Sequence, residues 1–204
     1  MDRILDLCCG TGSNLEAWGV APESEVSGVD IDETRLKIAR EKHPNRRYLH
    51  GDGEQQLAFP DESFDRVICN VALPYMKIGA SLAEAERMLV KGGRLSVSLH
   101  PLSFVIGELR TRKLRLVPTL FRLYSIVNGC VFHLTGRTFQ FVNGRTASFQ
   151  TEHGIKIALK RAGFGNVSCR REDGRFFVEA VKIGEGSTSY LPAHARGFDI
   201  PVGV

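Results

Sequence analysis

The feature that most constrains the fold is a regular alternation, over the first hundred residues, of short apolar runs with helix-like segments. Five runs have the length and composition of buried strands: Ile4–Cys8, Val26–Val29, Tyr48–His50, Val67–Cys69 and Leu95–Leu99. Between the last two, apolar residues recur at helical spacing from Ile78 to Leu89. Such alternation predicts a parallel sheet with helices on both faces.

The predicted helix after the second strand has a clear beginning and end. Asp32 is suited to capping free backbone N–H groups, and the helix is expected to end before Pro44. Its inner face would carry Leu36, Ile38 and Ala39. Further along, Gly92-Gly93 is predicted to end the helix that precedes the fifth strand.

The alternation breaks after Pro101 and resumes near the C-terminal end. A helix is predicted over Glu152–Ala162, followed by strand-like runs at Asn166–Arg170 and Arg175–Ile183. Asp173-Gly174 between these runs is a strong hairpin signal, so the sheet should end in an antiparallel pair. We therefore predict one domain over residues 1–183, with residues 103–146 as an insertion between strands five and six. Residues 184–204 form a tail with Gly, Ser and Pro, to which no structure is assigned.

Composition narrows the class of protein. A chain of 204 residues suits one domain, and five scattered cysteines favour reduced thiols in the cytoplasm over a disulfide scaffold. No Cys/His cluster completes a metal site, so no structural metal is expected. The net charge of +4 is uneven: residues 103–146 hold seven basic residues against Glu108, a charge of +6, and the remainder sums to −2.

A glycine bend after the first strand and an acid at the end of the second strand indicate a nucleotide-binding site. Gly10 and Gly12 follow the first strand directly, where glycine lets the backbone approach a ligand closely. Asp30 ends the second strand roughly 20 residues later, where a carboxylate can accept hydrogen bonds from ribose hydroxyls. The third glycine of a dinucleotide fingerprint would fall at Leu15 and is missing.

Six ordered motifs resemble those of the class I S-adenosyl-L-methionine (SAM)-dependent methyltransferases, especially the type 11 branch that includes quinone-biosynthesis enzymes. The matching segments are Ile4–Gly12, Gly28–Asp30, His50–Glu54, Phe64–Asn70 with Leu73 and Tyr75, Val90–Leu95 and Leu159–Phe164. The family normally has one or more helices ahead of the first strand, whereas here the strand begins within a few residues of Met1. Either a truncation or cover supplied by the 103–146 insertion would account for this.

The resemblance implies a Rossmann-like, three-layer α/β/α fold with a seven-stranded, mostly parallel sheet that has an antiparallel C-terminal strand. It also implies S-adenosyl-L-methionine as the cofactor and a small-molecule acceptor. The cofactor-binding residues implied by the first four motifs are Asp6, Gly10, Thr11, Gly12, Asp30, Ile31, Asp52, Gly53 and Asn70.

Methyl transfer from a sulfonium needs alignment and exclusion of water more than a catalytic triad. A base is required only if the acceptor must lose a proton. His100, which follows the fifth strand, is the candidate for this base. A purely structural role at the strand end is an equally weighted alternative. Tyr75 could orient an acceptor or cover the sulfonium, or it could simply pack.

We interpret residues 103–146 as a helical lid whose apolar side covers the acceptor pocket and whose arginines face water. A sharper hypothesis is that the lid selects an apolar or anionic acceptor. The alternative is a basic face, formed by Arg110, Arg112, Lys113 and Arg115, that contacts a membrane surface. A nucleic-acid partner is not expected, since no recognition module is present, and an oligomer is compatible with the sequence. Two other functions stay open: a non-catalytic SAM-binding partner subunit, and a nicotinamide-dependent oxidoreductase.

Overall fold

The structure, a computed structural model, describes residues 1–12, 15–101, 103, 107, 116–141, 146–172 and 175–183. Its strands are β1 (Arg3–Leu7), β2 (Glu25–Asp30), β3 (Arg47–His50), β4 (Phe64–Asn70), β5 (Leu89–Leu99), β6 (Phe164–Glu172) and β7 (Arg175–Lys182). Its helices are α1 (Glu33–Lys42), α2 (Ile78–Met88), α3 (Leu116–Thr135) and α4 (Glu152–Arg161). Short 3₁₀ turns lie at Glu16–Trp18 and Leu73–Tyr75.

The seven strands form one sheet in the order β3-β2-β1-β4-β5-β7-β6. The first five strands pair in parallel, whereas β7 is antiparallel to both β5 and β6. The predicted Rossmann-like sheet with a reversed strand near one edge is therefore confirmed. The predicted Asp173-Gly174 turn and the 184–204 tail lie outside the described residues.

The main core fills one face of the sheet. Alternate strand residues such as Leu5, Val67 and Val97 pack there against Leu82 of α2 and Ile155 of α4. Phe132 brings α3 into the same core. The opposite face holds a smaller cluster, in which Leu15 and neighbouring residues cover Ile4, Val26 and Ile68.

Helix α1 follows the prediction at its start and departs from it on one face. The Asp32 carboxylate accepts hydrogen bonds from the N–H groups of Thr34 and Arg35, which confirms it as the cap. Leu36 and Ala39 are buried as predicted, but Ile38 is 37% exposed and does not belong to the inner face.

The predicted stop at Gly92-Gly93 is wrong. Helix α2 ends earlier, at Met88, and β5 begins at Leu89, so both glycines lie inside the strand. Gly92 has a φ of 80°, and the pairing of β5 with β4 shifts register between Phe64 and Arg66. These glycines therefore permit an irregular strand, a role that glycine also has inside sheets.

The expectation that the arginines of the lid face water holds at Arg137 and is wrong at Arg122. The 103–146 insertion does contain a long helix, α3, but Arg122 on it is buried while Leu120, Leu123 and Val127 face solvent. The four basic residues of the 110–115 stretch lie outside the described residues. No helix in the described ranges is long and apolar enough to cross a membrane.

All five cysteines are free thiols, as the scattered spacing predicts.

Candidate cofactor and acceptor site

The strand order reverses at β1. From β1 the chain passes to β2 and β3 on one side, and it later adds β4 and β5 on the other. In open α/β sheets, ligands bind outside the carboxyl ends of the strands at such a reversal. We call the loops that follow these strand ends the carboxyl edge.

The glycine bend after β1 is a tight turn that leaves space beside Gly10. The Gly12 N–H donates to the Cys9 carbonyl at 2.9 Å, and the Cys9 N–H donates to Val29 at 2.9 Å. Both glycines have positive φ, 56° at Gly10 and 72° at Gly12. A Cβ added to Gly10 would meet nothing within 4 Å, whereas one on Gly12 would lie 2.5 Å from the Tyr48 hydroxyl. The bend is thus open at Gly10 and packed at Gly12.

Asp30 fixes this bend from the end of β2. Its Oδ2 accepts a hydrogen bond of 2.8 Å from the Gly10 N–H, and its Oδ1 accepts one of 2.9 Å from the Asp32 N–H. The side chain is buried. A carboxylate oxygen has two lone pairs, so each oxygen keeps capacity for one further donor such as a ribose hydroxyl.

Asp52 lies beside Asp30 at the same edge. The Gly51 N–H donates to the Asp30 carbonyl at 3.0 Å, which joins the ends of β2 and β3. The Asp52 carboxylate accepts from the Glu54 N–H at 2.9 Å and from the Gln55 amide at 3.0 Å. The two acids therefore follow adjacent strands on one side of the molecule.

The other residues implied for the cofactor take different positions around this edge. Ile31 is 65% exposed directly after Asp30, while Gly53 is buried and a Cβ there would lie 2.9 Å from Met76. Thr11 is half-buried in the bend. Asp6 lies within β1 and is almost fully buried; burial raises its pKa to about 7, opposed by the charge of Arg46 and reinforced by that of Asp30.

Asn70 ends β4 and is held by β5. Its side-chain oxygen accepts a hydrogen bond of 2.6 Å from the hydroxyl of Ser98, which also accepts one of 2.9 Å from the Val71 N–H. Within the described part of the chain, no hydrogen bond from the Asn70 amide NH₂ to a protein acceptor is found. Ser98 was not predicted, because a serine in an apolar strand gives no signal of a partner on the next strand.

Two strained residues flank the reversal point. Cys8 after β1 has a φ of 59° and Val71 after β4 has a φ of 63°. Non-glycine residues rarely adopt positive φ, and a β-branched residue does so least of all. Such strain concentrates at ligand-binding sites. The sequence does not show it, since neither residue type suggests this backbone conformation.

The two catalytic candidates lie near each other at the carboxyl edge. The rings of Tyr75 and His100 meet edge to face, with their centroids 5.8 Å apart. The His100 backbone is tied to Gln150, which donates to the His100 carbonyl at 2.9 Å and accepts from its N–H at 3.3 Å. Gln150 is buried and joins this strand end to the extended residues 146–150.

Residues 146–150 in turn attach the lid helix to the edge. Asn128 of α3 is fully buried, and its amide donates to the Ala147 carbonyl at 2.9 Å and to the Phe139 carbonyl at 3.1 Å. Its oxygen accepts from the Phe139 N–H at 2.9 Å. Tyr124 packs with three other aromatic rings, those of Phe121, Phe139 and Phe141. The lid is therefore anchored through a satisfied polar network.

Arg122 of the same helix, unlike Asn128, has a buried polar atom without a hydrogen bond. Its side chain is buried, with 8% exposure, and its Nη1 nitrogen has no hydrogen-bond partner. Among the described residues no carboxylate forms an ion pair with it. A buried donor without a partner is costly, so an acceptor atom that entered this region and bonded to Nη1 would be favoured.

Comparisons with known proteins agree with this arrangement. The family described as a methyltransferase domain matches residues 5–97. Demethylmenaquinone methyltransferase of Staphylococcus aureus is 30% identical over 194 residues, which cover 89% of this chain and 75% of that enzyme.

Solved structures show the same fold. A protein from Pyrococcus horikoshii superposes with a TM-score of 0.63 at 21% identity, covering 89% of this chain and 82% of that one. A SAM-dependent methyltransferase from Methanosarcina mazei superposes with a TM-score of 0.60 at 19% identity, covering 90% and 93%.

The fold is that of the SAM-dependent methyltransferases. The chain belongs to the class I SAM-dependent methyltransferases, with relatives in the branch that includes demethylmenaquinone methyltransferase. Membership in this family favours methyl transfer over the nicotinamide-dependent oxidoreductase that the glycine bend and Asp30 alone left open.

Proposed function

We propose that this enzyme transfers the methyl group of SAM to a small, mainly apolar acceptor bearing an acidic hydroxyl, of the reduced-quinone class. The observation that carries the proposal is the buried side chain of Arg122, whose Nη1 nitrogen has no hydrogen-bond partner. The named activity of the relative from Staphylococcus aureus supports the same class of acceptor.

The cofactor would lie along the carboxyl edge. SAM supplies a methyl group already activated on a sulfonium. The open space beside Gly10 admits the ligand to the backbone, and the remaining lone pairs of Asp30 suit the ribose hydroxyls. Exposed Ile31 offers an apolar surface for the adenine, with Asp52 at its rim. Thr11, Gly12, Gly53 and Asn70 complete the proposed lining, and Asp6 supports it from beneath.

The lid would form the acceptor side. Helix α3 is joined to the His100 strand end through residues 146–150, and Arg122 lies six residues before Asn128, a rise of roughly 9 Å along a helix. A reduced quinone is a phenol whose anion is nucleophilic. Arg122 would stabilise the anionic oxygen, because the pair forms where water is largely excluded.

His100 and Tyr75 would also act on the acceptor. His100 can accept the proton that a phenolic acceptor must lose, and the adjacent Tyr75 ring can orient the acceptor or cover the sulfonium. Holding the nucleophile and the methyl group close and aligned supplies the larger part of catalysis, roughly 7–11 kcal/mol.

Transfer of tritiated methyl from SAM to a short-chain demethylmenaquinone analogue, kept in its reduced form, tests this proposal. We expect turnover, and in Arg122→Met a fall in kcat/KM of at least about tenfold through a higher KM for the acceptor. Arg137→Met removes an exposed arginine from the same insertion and should leave kcat/KM unchanged. No turnover would favour a non-catalytic subunit or another acceptor, and equal losses in the two variants would contradict the role of Arg122.

A further inference from the structure

Helix α3 presents apolar side chains to solvent, unlike an ordinary surface helix. Leu120, Leu123, Val127 and Leu134, which we call the outer stripe, are 50%, 53%, 55% and 72% exposed. The buried side of the same helix carries polar groups, among them Ser125 and Asn128. Surface helices normally place charged and polar residues towards solvent and apolar ones inward.

The outer stripe is continuous along the helix. Its members are spaced at i, i+3, i+7 and i+14, so they lie above one another on one face. Only Cys130 and His133 share the exposed face among the described side chains of α3. The inner polar residues have a structural reason, since Asn128 binds the extended segments around Phe139 and Ala147. No contact in the described part of the chain gives a comparable reason for the outer stripe.

The charge around the helix indicates what covers the stripe. Helix α3 contains no aspartate or glutamate, and the sequence immediately before it contains Arg110, Arg112, Lys113 and Arg115. An apolar helix face that follows a basic stretch in the sequence is complementary to a bilayer whose headgroups are anionic. We infer that the outer stripe docks this enzyme on the surface of an anionic membrane.

A second copy of the chain fits the stripe less well. The four side chains expose on the order of 400 Å², so pairing two stripes would bury about 800 Å², below the roughly 1,200 Å² of a stable interface. The 103–146 insertion carries +6 in the sequence, with no acid in α3 to offset it, so two copies paired through this helix would repel each other. An anionic lipid surface removes that repulsion.

Docking of this kind places α3 on the membrane and not through it. The inference rests on the exposed face of α3, so it does not depend on the identity of the acceptor. If both hold, the lid that contacts the bilayer also carries Arg122 on its inner side, and a lipophilic acceptor could pass from the membrane to the site directly.

Co-sedimentation with vesicles tests the inference. The vesicles contain equal parts of phosphatidylglycerol and phosphatidylcholine, with pure phosphatidylcholine for comparison, at about 0.1 M salt where charges act over roughly 10 Å. We expect the wild-type protein to bind the anionic vesicles at least about tenfold more strongly than the neutral ones, and to lose this binding at high salt. The variant L120S/L123S/V127S should lose at least about tenfold in binding.

A matched control removes exposed apolar residues elsewhere on the surface. I38S/I183S changes side chains that are 37% and 55% exposed and lie outside α3. This control should bind vesicles as the wild type does, and both variants should keep wild-type circular dichroism and SAM affinity. SAM affinity is read without any acceptor, so a failure of the proposed function would be seen separately.

Three results would overturn the inference: no binding of the wild type to anionic vesicles, equal losses in the two variants, or stripe variants that bind vesicles normally. If the stripe variants bind vesicles normally, and light scattering shows a dimer for the wild type but a monomer for the variants, the outer stripe would be assigned to contact with a second copy instead.

Discussion

The N–H of Gly10 and the carboxylate of Asp30 are joined by a hydrogen bond of 2.8 Å, which ties the bend after β1 to the end of β2. The same carboxylate holds the Asp32 N–H, so one buried side chain fixes the start of both loops. The residue proposed to bind ribose therefore also shapes the space in which the ribose would lie.

Asp30→Asn should lower the free energy of unfolding by about 1–3 kcal/mol, because an amide NH₂ would face one of two N–H donors that the carboxylate now accepts. Urea denaturation measures this loss. Asp32→Asn is the matched control, since asparagine caps helices as well as aspartate does, and it should change stability little. Equal losses at both positions would show that Asp30 has no special role in the bend.

Because the backbone at Cys8 is strained, we predict that glycine at this position gives a more stable protein than alanine, the reverse of the usual order. Cys8→Gly and Cys8→Ala both remove the thiol, which contacts Met76 at 3.5 Å, but only glycine relieves the φ of 59°. We expect the glycine variant to be more stable than the alanine variant by about 1 kcal/mol. Thermal and urea denaturation of the pair measure the difference. An alanine variant that is the more stable of the two would exclude strain at this position.

Burial of Asp6 predicts a pH-dependent loss of stability. Its pKa in the folded protein is raised to about 7 by burial. Between the ordinary pKa and this value, the folded protein keeps the proton on Asp6 while the unfolded chain loses it. As pH rises from about 4 to 7, the wild type should lose roughly 1.4 kcal/mol per pH unit relative to Asp6→Asn, which cannot ionise. Other titrating groups cancel in this difference, measured by urea denaturation across that range. A difference that stays flat with pH would contradict a buried, protonated Asp6.

Arg122 should reduce stability in the absence of an acceptor. Arg122→Met keeps most of the side-chain length and removes a buried Nη1 donor that has no hydrogen-bond partner, so the free energy of unfolding should rise by about 1–3 kcal/mol. Arg137→Met, at an exposed position, should change it by less than about 0.5 kcal/mol. The two variants are compared by denaturation without ligands. A destabilised Arg122→Met would indicate that the guanidinium already has a partner.

The sequence predicts the sheet well because each strand carries its own local signal. The apolar runs, the glycine bend after β1 and the acids after β2 and β3 are local patterns, and the Asp32 cap is read from one residue. The antiparallel pairing of β6 and β7 follows from the Asp-Gly pair between the last two runs and is confirmed, and the structure adds that β7 also pairs with β5.

The features that were missed depend on contacts between distant residues. Ser98 holding Asn70, the positive φ of Val71 and the bonds between Gln150 and His100 arise only when strands and the lid come together. The burial of Arg122 and the exposure of Leu120, Leu123 and Val127 were missed because periodicity finds the two faces of α3 but does not say which face is inside. The buried network of Asn128 reverses the expected order.

Calorimetric titration of SAM into matched glycine variants tests the central claim, that the bend after β1 holds the cofactor. Gly10 and Gly19 have φ values of 56° and 66°, and a Cβ added at either position meets nothing within 4 Å. Alanine therefore introduces similar strain at both, but only Gly10 lies at the carboxyl edge. We predict that the wild type binds one SAM and no NAD, that Gly10→Ala weakens SAM binding at least about tenfold, and that Gly19→Ala binds as the wild type does. Equal SAM affinity in the two variants, or binding of NAD in place of SAM, would contradict the account.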